Sequence, residues 1–142
     1  MSLFRTISER AIITNNPAVI AAFPMESCHI KGSVREVFTA VRNAVHKGAQ
    51  IISHPLNSSI KPNESPYKSV VITVATGKLD IKSLNIIEDA ISLLNRLPDK
   101  NCAYDESVLD DFRIIDLDLI RHIFEPVPGD LKMIDMLRRF SQ

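Results

Sequence analysis

The sequence predicts an α/β sandwich: a small, mainly parallel sheet of three or four strands with helices on both faces and a helical C-terminal region. Three observations carry that expectation. Strand-like and helix-like segments follow one another as β-α-β-α-β-β-α-α, the alternation of a layered α/β fold. Residues 69–74, SVVITV, are almost continuously β-branched, as in a strand covered on both faces. Residues 33–48 carry start, stripe and stop signals of one amphipathic helix.

Taken in order, residues 2–9 mix Leu3, Phe4 and Ile7 with polar side chains and suit either a short helix or an irregular lead-in. Residues 11–14 form a short β-branched strand that stops at Asn15-Asn16-Pro17. Asn16 is a good N-cap and Pro17 fits the first helical position, so a brief helix follows over 18–23 and Pro24 closes it. Residues 27–30 read as a second strand, ended by Lys31-Gly32. The helix over 34–47 opens on the S-x-x-E capping box of Ser33 and Glu36 and buries Val34, Val37, Phe38, Val41 and Val45. His46 and Lys47 complement its last turn and Gly48 ends it. Residues 50–53 read as a third strand, and 69–74 as a fourth.

After a turn at Thr76-Gly77, Asp80 caps a helix with two adjoining apolar stripes, Leu84, Ile87, Ile91, Leu94 and Ile86, Ala90, Leu93, Leu97; Pro98 ends it. Residues 106–124 keep helical spacing through Val108, Phe112, Ile115, Leu119 and Ile123, with a division at Asp116 and Asp118 as the alternative. Pro126-Val127-Pro128-Gly129 is a break, and residues 130–140 form an amphipathic tail helix. The expected organisation is one domain over 1–125, with 126–142 packed on it or on a partner.

Composition excludes several function classes. Lys plus Arg and Asp plus Glu each number 17, which leaves no net field for nucleic acid or an anionic membrane. No apolar run approaches the roughly 20 residues that span a bilayer. The opening residues lack a secretory h-region and cleavage site, so a cytoplasmic location is expected. Cys28 and Cys102 stand far apart without a C-x-x-C pair, as reduced thiols do. His29, His46, His54 and His122 show no metal-ligand spacing, and no cofactor motif is present: Ser58 and Ser59 lack a nucleophile elbow and the glycines are too scattered to cradle phosphate.

The unusual stretch is 54–69, HPLNSSIKPNESPYKS, which fits neither helix nor strand. Unstructured connections longer than about 12–15 residues inside a domain are commonly functional. With right-handed crossovers and strand order 2-1-3, plus a fourth strand added, the first and third strands are neighbours roughly 4.8 Å apart. Asn15, Asn16 and His54 would then emerge side by side at the carboxyl edge, where open α/β sheets bind ligands. The loop is long enough to recross the sheet without a helix, which would make the fourth strand parallel too; nothing indicates a tight hairpin.

The segments ITNNP (13–17), HKG (46–48), HPL (54–56), KPNESPYKS (61–69), GKLD (77–80) and KSLNIIED (82–89) together resemble the GrdX family over about residues 11–120. The resemblance implies an accessory part in reductive amino-acid metabolism, beside glycine, sarcosine and betaine reductase components. It brings no catalytic residues to carry over.

The candidate ligand-binding residues are Asn15, Asn16, His54, Lys61, Asn63, Glu64, Tyr67 and Lys68. The asparagines offer amides and helix N-terminal N–H groups to a carboxylate or phosphate, though N-N-P is also simply a good helix start. His54 suits a general base or an anion donor, or else a bond to the loop backbone. The leading expectation is a non-catalytic accessory protein that binds a small anionic metabolite at the sheet edge. The alternatives are an enzyme with His54 or Glu64 as acid/base and Lys61 or Tyr67 stabilising charge, and an adaptor for a reductase component. The adaptor would dock through its tail helix or the Arg35, Thr39, Arg42, His46 face, which is otherwise a solvated surface. A homodimer through the tail helix is equally compatible with its one apolar stripe.

Overall fold

The computed structural model of the chain describes residues 10–58, 60–100 and 103–124. Their elements are β1 (Arg10–Thr14), α1 (Pro17–Ala22), β2 (Ser27–His29), α2 (Val34–His46), β3 (Ser69–Thr73), α3 (Ile81–Arg96) and α4 (Glu106–Phe124). Residues 2–9, expected as a short helix or an irregular lead-in, and the tail helix expected over 130–140 lie outside the described residues.

The class is the expected one, with helices on both faces of a small sheet. Alternation along the strands divides the core. Ile13, Val70 and Ile72 point to one side and pack against Val37, Phe38 and Val41 of α2 and Ile87, Ala90 and Leu94 of α3. Ile12 and Val71 point to the other, against Val19 of α1, Phe23 at its C-terminal end and Ile120 of α4. The Phe23 and Phe124 rings meet there at 5.3 Å. α4 is one continuous helix, not two.

The sheet itself is mixed, in the order β2-β1-β3. β1 and β2 are parallel, with Thr14 opposite His29. β1 and β3 are antiparallel, with Thr14 opposite Ser69 and Arg10 opposite Thr73. Two expectations are thereby corrected. Residues 50–53 do not make a third strand: they form one antiparallel bridge to β3, Ile51 to Ile72, with backbone bonds from Ile52 N–H to Val71 O (2.8 Å) and from Thr73 N–H to Gln50 O (2.8 Å). Side-chain hydroxyls take the remaining donors there: the Val71 N–H donates to Ser53 Oγ (2.7 Å), the Gln50 N–H to Thr73 Oγ1 (2.8 Å) and the Ile51 N–H to Ser83 Oγ (2.9 Å). The place beside β1 falls to the SVVIT run, which enters from the carboxyl edge because the loop turns back there and does not recross the sheet. A β-branched run buried on both faces reads the same in either direction.

Local chemistry sets the helix starts. Asn16 Oδ1 accepts the Ala18 N–H at 2.9 Å, with Pro17 at the first helical position. Glu36 accepts the Ser33 N–H at 2.7 Å, completing the capping box, and these Ser33 bonds hold its carboxyl below the usual value. Asp80 Oδ2 accepts the Ser83 N–H at 3.1 Å.

Gly48 leaves α2 at φ +104, and a Cβ there would lie 2.5 Å from Gly77 N and 2.7 Å from Lys78 N. Gly48→Ala is therefore expected to cost roughly 1–3 kcal/mol, the order of backbone strain at such a position. A denaturation midpoint equal to the parent's would show that the 76–78 turn relaxes freely.

Candidate functional site

Antiparallel β3 brings its own N-terminal end to the carboxyl end of β1, and the loop before it arrives at the same edge. Asn15 holds this junction together. Its Nδ2 donates to Gly32 O (2.9 Å) and Pro66 O (2.8 Å), and its Oδ1 accepts the Lys68 N–H (2.8 Å). Both amide donors are thus spent on joining β1, the start of α2 and the loop. Asn16 is buried, and its Nδ2 donates to Arg113 O (2.9 Å) and Asp116 Oδ2 (3.0 Å) of α4.

Asp116 escaped the sequence reading and is the centre of a buried polar network. Ser69 Oγ donates to Asp116 Oδ2 at 2.6 Å and lies 2.7 Å from Thr14 Oγ1, which accepts the Asn16 N–H at 2.9 Å. Burial pushes the Asp116 carboxyl up, against the opposing pull of the bonds from Ser69 and Asn16 and of the Lys68 charge. Burial likewise pushes the Lys68 ammonium down from its ordinary value, and the attraction of Asp116 only partly offsets this. The available signal was an aspartate in line with Phe112 and Ile120, on the helix face that should be apolar.

His54 does not stand beside Asn15, because the neighbour of β1 is β3; the Asn15 N–H reaches Lys68 O instead, at 3.4 Å. His54 is exposed and its Nδ1 accepts the Leu56 N–H at 3.1 Å. With Lys68 and Asp116 it borders a cavity of about 10 Å³. Lys61, Tyr67, Lys68 and Asp116 border a second of about 20 Å³. Each has room on the order of one water. The Tyr67 hydroxyl accepts from Arg113 Nη1 at 2.8 Å, with the guanidinium 5.5 Å from the ring centroid.

Asn63 and Glu64 face elsewhere. They belong to a groove of about 410 Å³ between the loop, the start of α2, the end of α3 and the approach to α4. Volumes of roughly 300–1,000 Å³ are typical of small-molecule sites. Asn63 Nδ2 donates to Pro98 O (2.9 Å), Tyr104 Oη to Glu64 O (2.7 Å), and Lys100 Nζ lies 3.3 Å from Glu64 Oε1. The loop is thus anchored to the connection between α3 and α4. Arg35 also lines it and hydrogen-bonds Asn95 of α3. The structure therefore divides the eight predicted residues: Asn63 and Glu64 line the groove, Asn15 holds its wall at Pro66, Asn16 bonds α4 through Arg113 and Asp116, and His54, Lys61, Tyr67 and Lys68 lie on the α4 side of the loop.

Among the described residues, no group of three or more His, Cys, Asp or Glu side chains could hold a metal ion, and no helix is long and apolar enough to cross a membrane. No curated protein and no solved structure matches the chain. A family model does: the one described as GrdX-like protein matches residues 11–125, from the first strand through the whole of α4. The chain belongs to the GrdX-like protein family.

Proposed function

We propose that this chain is a non-catalytic accessory protein of glycine, sarcosine and betaine reductase metabolism that holds a small metabolite, by its anionic group, at the carboxyl edge of the sheet. Family membership supports the metabolic setting. The observation that carries the binding reading is the 410 Å³ groove walled by residues 62–66. Asn15 fixes that wall to Gly32, so the groove lies just past the carboxyl ends of the parallel pair β1 and β2. Ligands of open α/β sheets bind at that edge. Arg35 and Lys100 supply cations for a carboxylate or phosphate.

Acid–base catalysis gains less support. His54 is exposed and bonded to its own loop, and the Glu64 carboxylate is paired with Lys100. The adaptor reading through Arg35 and Arg42 is weakened because both side chains turn towards α3, Arg35 to Asn95 and Arg42 to Glu88 at 3.7 Å.

Thermal unfolding against a panel of carboxylates, acyl phosphates, amino acids and nucleotides tests the proposal. A true ligand at 100 times its Kd is expected to add about 2.7 kcal/mol of stability. Arg35→Gln should abolish that gain while leaving the unliganded midpoint within about 0.5 kcal/mol of the parent. A flat response across the panel would rule the groove out as a metabolite site.

A further inference from the structure

We infer that the groove takes a free α-amino acid with a large apolar side chain, held as a zwitterion. The inference rests on the metabolite-binding reading above and specifies the ligand's charge and body. Two features of the lining point to it. The ionised side chains are balanced, Arg35 and Lys100 against Glu64 and Asp99, and Lys100 and Glu64 face each other at 3.3 Å, a contact that a ligand carrying both charges can replace on each side. A ligand that is only an anion would gain from the first two and be repelled by the second two, and a cation the reverse. A zwitterion places its carboxylate towards Arg35 and Lys100 and its ammonium towards Glu64 and Asp99, so that all four contacts are favourable.

The second feature is the floor. Between the charged groups the lining is apolar, with Val34 and Leu94 buried in the core and Leu97 and Leu109 half-buried. A ligand consisting of charged ends alone would leave this floor wet and most of about 410 Å³ unfilled. A side chain of leucine or phenylalanine size covers it, and the apolar contact adds to the polar recognition at either end.

Calorimetric titration of the full chain with leucine, phenylalanine, glycine, isocaproate, isoamylamine and acetyl phosphate decides the matter. Isocaproate is leucine without its ammonium, and isoamylamine is leucine without its carboxylate. Leucine or phenylalanine is expected to bind at least about tenfold more tightly than glycine and than either single-charge analogue, the order of discrimination that one lost contact gives. Glu64→Gln and, independently, Asp99→Asn should weaken leucine without weakening isocaproate. Circular dichroism should show both variants folded. Isocaproate or acetyl phosphate binding as tightly as leucine would overturn the zwitterion inference and leave the anionic-metabolite reading standing. Glycine binding as tightly as leucine would overturn the apolar part. If no probe binds, the groove reading falls together with the inference.

Discussion

Asp116→Ala is expected to destabilise the protein by roughly 3–5 kcal/mol, the order expected when a buried acceptor shared by two donors is removed. The loss has identifiable parts. Ser69 Oγ and Asn16 Nδ2 lose their shared acceptor in the interior, at 2.6 and 3.0 Å in the parent. Lys68, only 8% exposed, loses the carboxylate that offsets its burial. An unmade bond of this kind costs about 1–3 kcal/mol of desolvation for each group left behind. Asp116→Asn separates shape from charge: it keeps an oxygen for Ser69 or Asn16 and should recover a large part of the loss. Equal denaturation midpoints for the alanine and asparagine variants would show that shape and a neutral oxygen recover nothing and that the carboxylate charge carries the whole effect.

Asp116 and Lys68 make stability depend on pH in two opposite ways. Asp116 has a native pKa above its ordinary 3.8, so the folded state binds that proton more tightly than the unfolded chain. Its contribution is present below that value and is lost as pH rises through the raised native pKa. Lys68 has a native pKa below its ordinary 10.5, so the cost of burying its ammonium is relieved as pH rises from the lowered value towards 10.5. The combined contribution of these two groups should therefore dip between the two limbs, while Glu36 and Asp80, whose carboxyls are held below their ordinary values, add stability as pH rises on the acidic side. Asp116→Asn should flatten the acidic limb, and Lys68→Met the alkaline one. Parallel pH profiles for parent and both variants would contradict this assignment.

The fold and the site were legible to different depths, for physical reasons. Helix starts are local chemistry, so Ser33 with Glu36, Asn16 with Pro17, and Asp80 announce α2, α1 and α3 within a few residues of sequence. The burial of the SVVIT run is equally local, because β-branching on consecutive residues suits a strand covered on both faces. Its direction is a long-range property, and no residue within 69–73 encodes it. Residues 50–53 have the composition of a strand, yet Ser53 and Thr73 carry hydroxyls that replace backbone partners, which only the assembled neighbours reveal. The loop was visible as a loop, but its polar residues could not be sorted by face, since side chains without a periodic backbone have no period to read. Asp116 was misread for the opposite reason. In a helical pattern an aspartate on the apolar stripe looks like an interruption, whereas here Ser69 and Asn16, 47 and 100 residues away in sequence, make it a joint.

Asn16→Ala should cost roughly 2–4 kcal/mol. One part is the lost N-cap of α1, whose bond to the Ala18 N–H is typically worth about 0.5–2 kcal/mol. The other is the bridge to α4 through Arg113 O and Asp116 Oδ2. Three variants divide the two. Asn16→Ser keeps a capping oxygen but cannot span to α4, so it measures the bridge. Asn16→Asp keeps the cap and sets a second carboxylate beside Asp116, so it should be the worst of the three near neutral pH and regain stability on acidification. A double-mutant cycle between Asn16→Ala and Asp116→Asn should return a coupling of about 0.5–3 kcal/mol, as expected for partners in contact. Hydrogen exchange locates the effect. The amides of α4 should exchange faster in Asn16→Ala while those of α2 and α3, on the opposite face of the sheet, keep their protection. Uniform acceleration across all the helices would mean that the bridge acts on global stability alone and does not anchor α4. Anchoring matters for the groove, because Leu109 in the first turn of α4 lines it. A loosened α4 should therefore weaken binding there even though residue 16 does not line the groove.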